Sequence, residues 1–356
     1  MRCKYCFYRD VSERRECESY GVMTREVLEA FLKNVFAYAR EPISFTFQGG
    51  EPTLAGVEYF KNFHSLVGKH NIRSLPISYS LQTNGYDIPD ELCEIFARYR
   101  YLLGVSLDGD AALHDSLRLG AGGEPTFDKI RATVRRFDEY KIDYNILTVI
   151  TEGLARRGAD VYKYLRDNGF KYVQFIPFIP DFSGDGEGEE YTLTNEGYAR
   201  FLNETFIEYH RDFISGRYVS VRQFDNFVRI AAGLGAECCG MGGSCVASLV
   251  VEADGGVYPC DFYVLDRWRM GNITTDSIGA LLSSEAAKSF VKLSRELPAE
   301  CSSCEYLPIC RGGCRRHREC AEGLSQNRYC SAYRKFFTES TELILDIANR
   351  IKIKNR

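Results

Sequence analysis

Tryptophan occurs once in this sequence, at Trp268, methionine four times and histidine five times, and neither sign of charge dominates. A net charge of −4, carried by interleaved acids and bases, leaves no basic stripe for a nucleic-acid backbone and excludes that class of partner. No apolar run approaches the roughly 20 residues of a membrane-spanning helix, so no membrane role is expected. The opening residues Met1-Arg2-Cys3-Lys4-Tyr5-Cys6 lack the apolar segment of an export signal, and the chain therefore reads as cytoplasmic. The histidines, His64, His70, His114, His210 and His317, show no ligand spacing and read as surface or hydrogen-bonded residues. A chain of 356 residues, without long repeats or low-complexity tracts, holds one large or two medium domains.

Cysteine, in contrast, is abundant. Ten of the fourteen cysteines fall between Cys238 and Cys330, spaced as Cys239-x5-Cys245-x14-Cys260 and then Cys301-x2-Cys304-x5-Cys310-x3-Cys314-x15-Cys330. In a reducing compartment clustered thiols persist as metal ligands or redox centres, with disulfides as the alternative. Eight such thiols complete two four-ligand sites, so this segment is expected to fold around metal in place of a large apolar core. Taken alone, the thiols also allow a zinc-stapled binding protein with no catalysis. Cys238 and Cys320 lie close to these positions without completing a set, and Cys17 and Cys93 read as inert.

Two textures divide the chain. Strand patterns at 43–47, 77–81, 102–107, 144–150 and 172–176 alternate with helical spacing at 57–70, 90–99, 126–140 and 160–168, which implies a parallel α/β sheet of five strands. An acidic loop, 181–190, contains Gly184-x-Gly186-x-Gly188, but its carboxylates would repel a phosphate and it reads as a solvated connection. A helix is expected over 194–214. Beyond Cys239, Ala247 to Glu252 and Gly256 to Cys260 predict a hairpin turning at Ala253-Asp254-Gly255. The expected divisions are 1–235, 236–335 and a C-terminal helix over 336–356.

Three motifs carry chemistry. Cys3-Lys4-Tyr5-Cys6-Phe7-Tyr8 is a Cys-x2-Cys pair with aromatic neighbours, a spacing shared by zinc and redox sites. Gly49-Gly50-Glu51-Pro52 and Thr83-Asn84-Gly85 each follow a predicted parallel strand, at the sheet edge where α/β proteins build their sites. Glycines there let backbone groups approach a small ligand.

Together these residues resemble the radical S-adenosylmethionine (SAM) superfamily, whose signature is Cys-x3-Cys-x2-Cys followed by an aromatic residue. More closely, the stretches 47–56, 104–109 and 257–266 resemble the anaerobic sulfatase-maturating enzymes, which carry a C-terminal SPASM domain with auxiliary clusters. The resemblance implies a partial (β/α)6 barrel lacking its first strand, followed by a small loop-rich SPASM domain. It implies three [4Fe-4S] clusters and SAM as cofactors. Cys3 and Cys6 would hold the SAM-binding cluster, Cys239, Cys245, Cys260 and Cys314 the first auxiliary cluster, and Cys301, Cys304, Cys310 and Cys330 the second. Tyr5, Gly49, Gly50, Glu51, Ser106, Arg118 and Ile179 would contact or position SAM, and Tyr8 and Gln48 the substrate. Asp261 would be the catalytic acid/base.

The first cysteine of the triad would lie two positions upstream of Met1, and the five-strand count matches the absence of the strand that leads to it. A chain with only Cys3 and Cys6 in that loop is expected to cleave SAM poorly unless upstream residues are present. The implied reaction is hydrogen abstraction by a 5′-deoxyadenosyl radical from Cβ of a sulfatase cysteine or serine. Deprotonation by Asp261 and electron loss to the auxiliary clusters would then give Cα-formylglycine. The implied partners are a sulfatase polypeptide and an electron donor such as flavodoxin or ferredoxin. Maturation of a ribosomally made peptide is the alternative within the same enzyme class.

Overall fold

The computed structural model describes residues 1–182, 188–320 and 323–354. Apart from Gly188, the Gly-x-Gly-x-Gly stretch of the acidic loop lies outside the described residues.

A two-residue strand, β1 (Arg2–Cys3), opens the chain and leads into the helix Phe7–Glu13. The main sheet begins with β2 (Ile43–Phe47), β3 (Ile77–Thr83) and β4 (Leu102–Ser106). After the short β5 (Arg118–Leu119), it continues with β6 (Asp143–Ile150), β7 (Tyr172–Pro177) and β8 (Ser220–Val221). Its order is β2-β3-β4-β6-β7-β8, every pair parallel, so helices must cross over between neighbouring strands. The five expected strands are all present, but the count is corrected to six. Strand β8 pairs Ser220 with Tyr172 and Val221 with Val173, and two residues are too few to carry a periodic signal. Among the described residues the sheet is open, with β2 and β8 at its edges.

The helix Arg25–Tyr38 was also not legible as a separate element. Thr24 caps it by accepting from the Val27 N–H, and Leu28, Leu32, Val35 and Phe36 form its buried stripe. That stripe packs with Phe45 and Phe63, and also with Val257, Met270, Ile273 and Leu281 from the cysteine-rich half. The amide of Asn34 reaches the carbonyl of Ile273 at 2.7 Å. A further cluster joins Val11 to Tyr258, Tyr263, Trp268 and Phe290. Each fully buried large side chain contributes about 1.5–3 kcal/mol, so residues 257–290 rest on a real apolar core. The expectation that metal replaces such a core is corrected for that stretch. It suits residues 299–328 better, where the buried side chains among the described residues are Arg315, Arg316, His317, Arg318 and Asn327.

The predicted hairpin is present as β9 (Val250–Val251) and β10 (Gly256–Tyr258), extended by β11 (Gly271–Asn272). The last helix starts at Cys330 and runs to Lys354, packing along Asn195–Ile214 through Phe336 against Phe206 and a 2.9 Å hydrogen bond from Ser340 to Asn203.

Candidate active site

The carboxyl ends of β2, β3 and β4 and the N-terminal thiol loop meet at one edge of the sheet. Strand β1 pairs antiparallel with β5, placing Cys3 opposite Arg118, and the Lys4 N–H donates to Leu117 O at 3.0 Å. Arg118 is buried, donates from Nε to Asp108 Oδ2 at 2.8 Å and lies 3.8 Å from the Cys3 sulfur. The Tyr5 hydroxyl donates to the same Asp108 oxygen, and Asp108 Oδ1 accepts from the Val149 N–H at 2.9 Å. Burial works against the Arg118 cation, but Asp108, Tyr5 and Cys3 outweigh it and hold its pKa above the ordinary value. Burial pushes the Cys3 thiol up, against the pull of Arg118. Asp108 is thus the hub that locks Tyr5 and Arg118 beside the thiol loop. Sequence reasoning did not single it out, although it closes the Val105-Ser106-Leu107-Asp108 strand end.

His114 supports this hub from below. Its Nδ1 accepts from the Asp108 N–H at 3.2 Å and its Nε2 lies 3.1 Å from Thr126 Oγ1, which itself donates to Arg118 O. The chain of donors assigns the neutral Nε2–H tautomer, and burial lowers its pKa to about 4.

Gly49 and Gly50 follow β2 with φ of +92° and +49°, which L side chains rarely adopt. A Cβ on Gly50 would meet no atom within 4 Å, so the backbone there faces open space. Glu51 anchors the loop: Oε1 accepts from the Thr53 N–H, the Thr53 hydroxyl and the Thr83 hydroxyl, and Oε2 accepts from the Asn84 N–H at 2.7 Å. The two motifs seen separately in sequence are therefore one structure tied by a carboxylate. Ser106 ends β4 in register with Leu147 at the same edge. Ile179, Tyr5 and Cys6 border a cavity of about 540 Å³ whose other walls include Arg9, Asp10 and Tyr191.

Asp261 opens a short 3-10 turn, Asp261–Tyr263, directly after Cys260. Burial raises its carboxyl above the usual carboxylate range, opposed by hydrogen bonds from Cys260, from backbone N–H groups and from Gln48. Burial likewise holds the Tyr8 hydroxyl well above its usual range, with the Asp261 charge adding and a hydrogen bond donated by the Gly49 backbone N–H opposing. Phe7 and Phe262 pack edge to face at 4.8 Å, which fixes the turn against the thiol-loop helix. Asp261, Gln48, Tyr8 and Gly49 thus form one constellation built from three distant parts of the chain.

The eight clustered thiols separate into two electrostatic groups. Cys314 feels Cys239 and Cys245, Cys260 feels Cys314, and Cys245 feels Cys239. Cys310 feels Cys330, Cys301 and Cys304, and Cys330 feels Cys301 and Cys304. Burial pushes Cys314 up to about 12 and Cys310 up to about 11, a penalty that a bound metal centre reverses by replacing the proton. Thirteen of the fourteen cysteines, all but Cys320, stand as free thiols. Among the described residues no three His, Cys, Asp or Glu side chains converge on a single-ion site. Cys93 is buried in the sheet core, and the Cys17 thiol donates to Ser19 O. Of the histidines, His64, His114 and His317 are core residues, while His70 and His210 contact Glu29 and Asp346.

An open parallel sheet with a thiol loop at its carboxyl edge, joined to a second thiol-rich unit, defines the architecture of radical SAM proteins with auxiliary clusters. Residues 1–158 match the radical SAM superfamily, and residues 239–305 match the SPASM iron-sulfur cluster-binding domain. The chain is 40% identical over 354 residues to a cysteine-type anaerobic sulfatase-maturating enzyme of Clostridium perfringens, covering 99% of this chain and 96% of that protein. Its identity to the cysteine-type enzyme of Clostridium novyi is 37%, over 99% of this chain and 94% of that protein. A serine-type enzyme of Klebsiella aerogenes is 28% identical over 95% of this chain and 82% of its own length. The solved structure of native anSMEcpe with bound AdoMet and the Kp18Cys peptide superposes with a TM-score of 0.93 at 40% identity, covering 98% of this chain and 96% of that one. This chain belongs to the anaerobic sulfatase-maturating enzymes.

Proposed function

We propose that this protein oxidises a cysteine side chain of a sulfatase polypeptide to Cα-formylglycine, working in the cytoplasm with a small electron-transfer protein such as flavodoxin or ferredoxin. The observation that carries the reading is the Asp261, Gln48, Tyr8 and Gly49 constellation at the carboxyl edge of the sheet. Cys3 and Cys6 would contribute to the SAM-binding [4Fe-4S] cluster, Cys239, Cys245, Cys260 and Cys314 would hold the first auxiliary cluster, and Cys301, Cys304, Cys310 and Cys330 the second. The auxiliary donor sets fit: all are thiols, grouped four and four, and burial of Cys260, Cys314 and Cys310 disfavours their ionisation unless a metal takes the proton's place. When bound, SAM and its cluster supply a 5′-deoxyadenosyl radical, and the auxiliary clusters carry the electron away from substrate.

The protein's own residues do the rest. The positive-φ backbone of Gly49 and Gly50 leaves room for SAM, and Glu51 holds that loop at a fixed height over β3. Asp108 orients Tyr5 and Arg118 toward the same ligand, and Ser106 and Ile179 line its remaining sides. Tyr8 and Gln48 position the substrate side chain, and Asp261 accepts its thiol proton. Identity favours cysteine over serine as the target, since the cysteine-type relatives are 37–40% identical and the serine-type one is 28%.

Incubation of reduced protein with SAM and matched sulfatase peptides bearing cysteine or serine at the target position tests the reading. With the residues upstream of Met1 present in the thiol loop, mass loss in the cysteine peptide equal to its conversion to formylglycine, together with 5′-deoxyadenosine, is expected. SAM cleavage with a crosslinked or epimerised peptide and no aldehyde would overturn it.

A further inference from the structure

Four consecutive cationic or titratable residues, Arg315, Arg316, His317 and Arg318, follow Cys314, and all four are buried. Three of them have ordinary accounts. Arg315 stacks on Tyr263, Trp268 and Phe290 and lies 3.8 Å from Glu319. Arg316 covers the Phe182 ring, donates to Pro180 O and lies 3.8 Å from Asp10. His317 packs edge to face on Tyr329. Arg318 is different: it is 3% exposed, and its guanidinium donates only to the backbone carbonyls of Glu296 and Ser294. Its Nε has no hydrogen-bond partner, and among the described residues no carboxylate lies within ion-pair distance of it.

A buried cation without a counterion is strongly disfavoured, so the neighbouring sites must supply the negative charge. The stretch that Arg318 grips leads to both thiol sets. Ser294 accepts from the Cys245 N–H at 2.9 Å, and two residues beyond Glu296 the Pro298 carbonyl accepts from the Cys301 N–H at 3.0 Å.

We propose that Arg318 is the shared counterion of the two auxiliary clusters, a charge bridge that favours the reduced form of both and so keeps the electron path from substrate to acceptor level. The proposal rests on the preceding reading that these thiols hold [4Fe-4S] clusters. Arg318 is itself neither oxidised nor reduced. The single electron released per substrate would pass through the two clusters in turn to the acceptor protein, and a nearby fixed cation would stabilise the more negative state of each.

Redox titration of the two auxiliary signals, followed by electron paramagnetic resonance on reconstituted wild-type, Arg318→Gln and Arg318→Lys proteins, tests this. Loss of the charge should move the reduction equilibrium of both auxiliary clusters about tenfold toward the oxidised form, roughly 59 mV for a one-electron couple. The SAM-binding cluster should not move, and Arg318→Lys should stay near wild type. Unchanged auxiliary potentials in Arg318→Gln at full iron content, movement of one cluster only, or an equal fall in Arg318→Lys would overturn the bridge. If Arg318→Gln loses auxiliary iron, retention of iron in Arg318→Lys supports the charge requirement, and loss in both variants overturns it. A wild-type protein that binds no auxiliary iron and sulfide would instead refute the cluster reading itself.

Discussion

Asp108 and Asp261 are both carboxylates at the edge of the site, and their surroundings give them opposite tasks. Asp108 is saturated by Tyr5, Arg118 and the Val149 N–H, so it is a fixed anion that positions others. Asp108→Asn leaves Arg118 buried without its anionic partner and should cost about 3–5 kcal/mol of stability, measured by urea unfolding. Asp261 has a freer role beside Cys260 and Gln48. Asp261→Asn should abolish formylglycine while 5′-deoxyadenosine formation continues, as read by product mass and chromatography. Undiminished product from that variant would remove Asp261 from the chemistry.

His64 shows how a single residue sets acid sensitivity. It stacks on Tyr99 at 3.4 Å between ring centroids and bonds Tyr101, and burial lowers its pKa from 6.5 to about 4. The unfolded chain binds this proton below pH 6.5 and the folded protein does not until about pH 4. Stability is therefore full above the unfolded value and falls as pH drops through this window, by about 3 kcal/mol at most for this group. Urea midpoints between pH 7 and 4.5 should fall in wild type, and His64→Phe should flatten part of that slope.

Among the elements, the loop after β2 depends on backbone freedom. Gly50 at φ +49° faces open space, so a methyl group there meets the ligand before it meets the protein. Gly50→Ala should cost only about 1 kcal/mol of stability but weaken SAM binding by tenfold or more in calorimetry. The motif's glycines were legible in sequence because they cluster directly after a predicted strand, where a bare backbone can approach a ligand. That Glu51 ties this turn to Thr83 and Asn84 was not, since those residues are 32 and 33 positions away and only sheet pairing brings them together. For the same reason the strands of five or more residues stood out by pattern, whereas the two-residue β8 did not.

Over the whole molecule, shared apolar clusters join the two halves in one stretch, and the proposed metal centres would organise another. Residues 257–290 pack on the helix Arg25–Tyr38 and on Val11, while residues 299–328 bury mainly cations. Removal of iron with a chelator should therefore expose 299–328 to limited proteolysis while the tyrosine and tryptophan packing around Trp268 survives in near-ultraviolet circular dichroism. Simultaneous loss of both would show that the apolar clusters do not stand without metal.

The sequence by itself determined the parallel α/β class, the thiol inventory and the glycine turns, because periodicity, ligand chemistry and positive φ are local demands written in residue type. It also pointed, through resemblance, to Asp261 and to the four-and-four division of cysteines. Tertiary structure alone decided that Asp108 is the hub of the thiol loop, that Glu51 joins two strand ends, and that Arg318 lies buried with no carboxylate in ion-pair reach among the described residues. Those facts depend on which distant groups share a low-dielectric interior, and no local pattern encodes that.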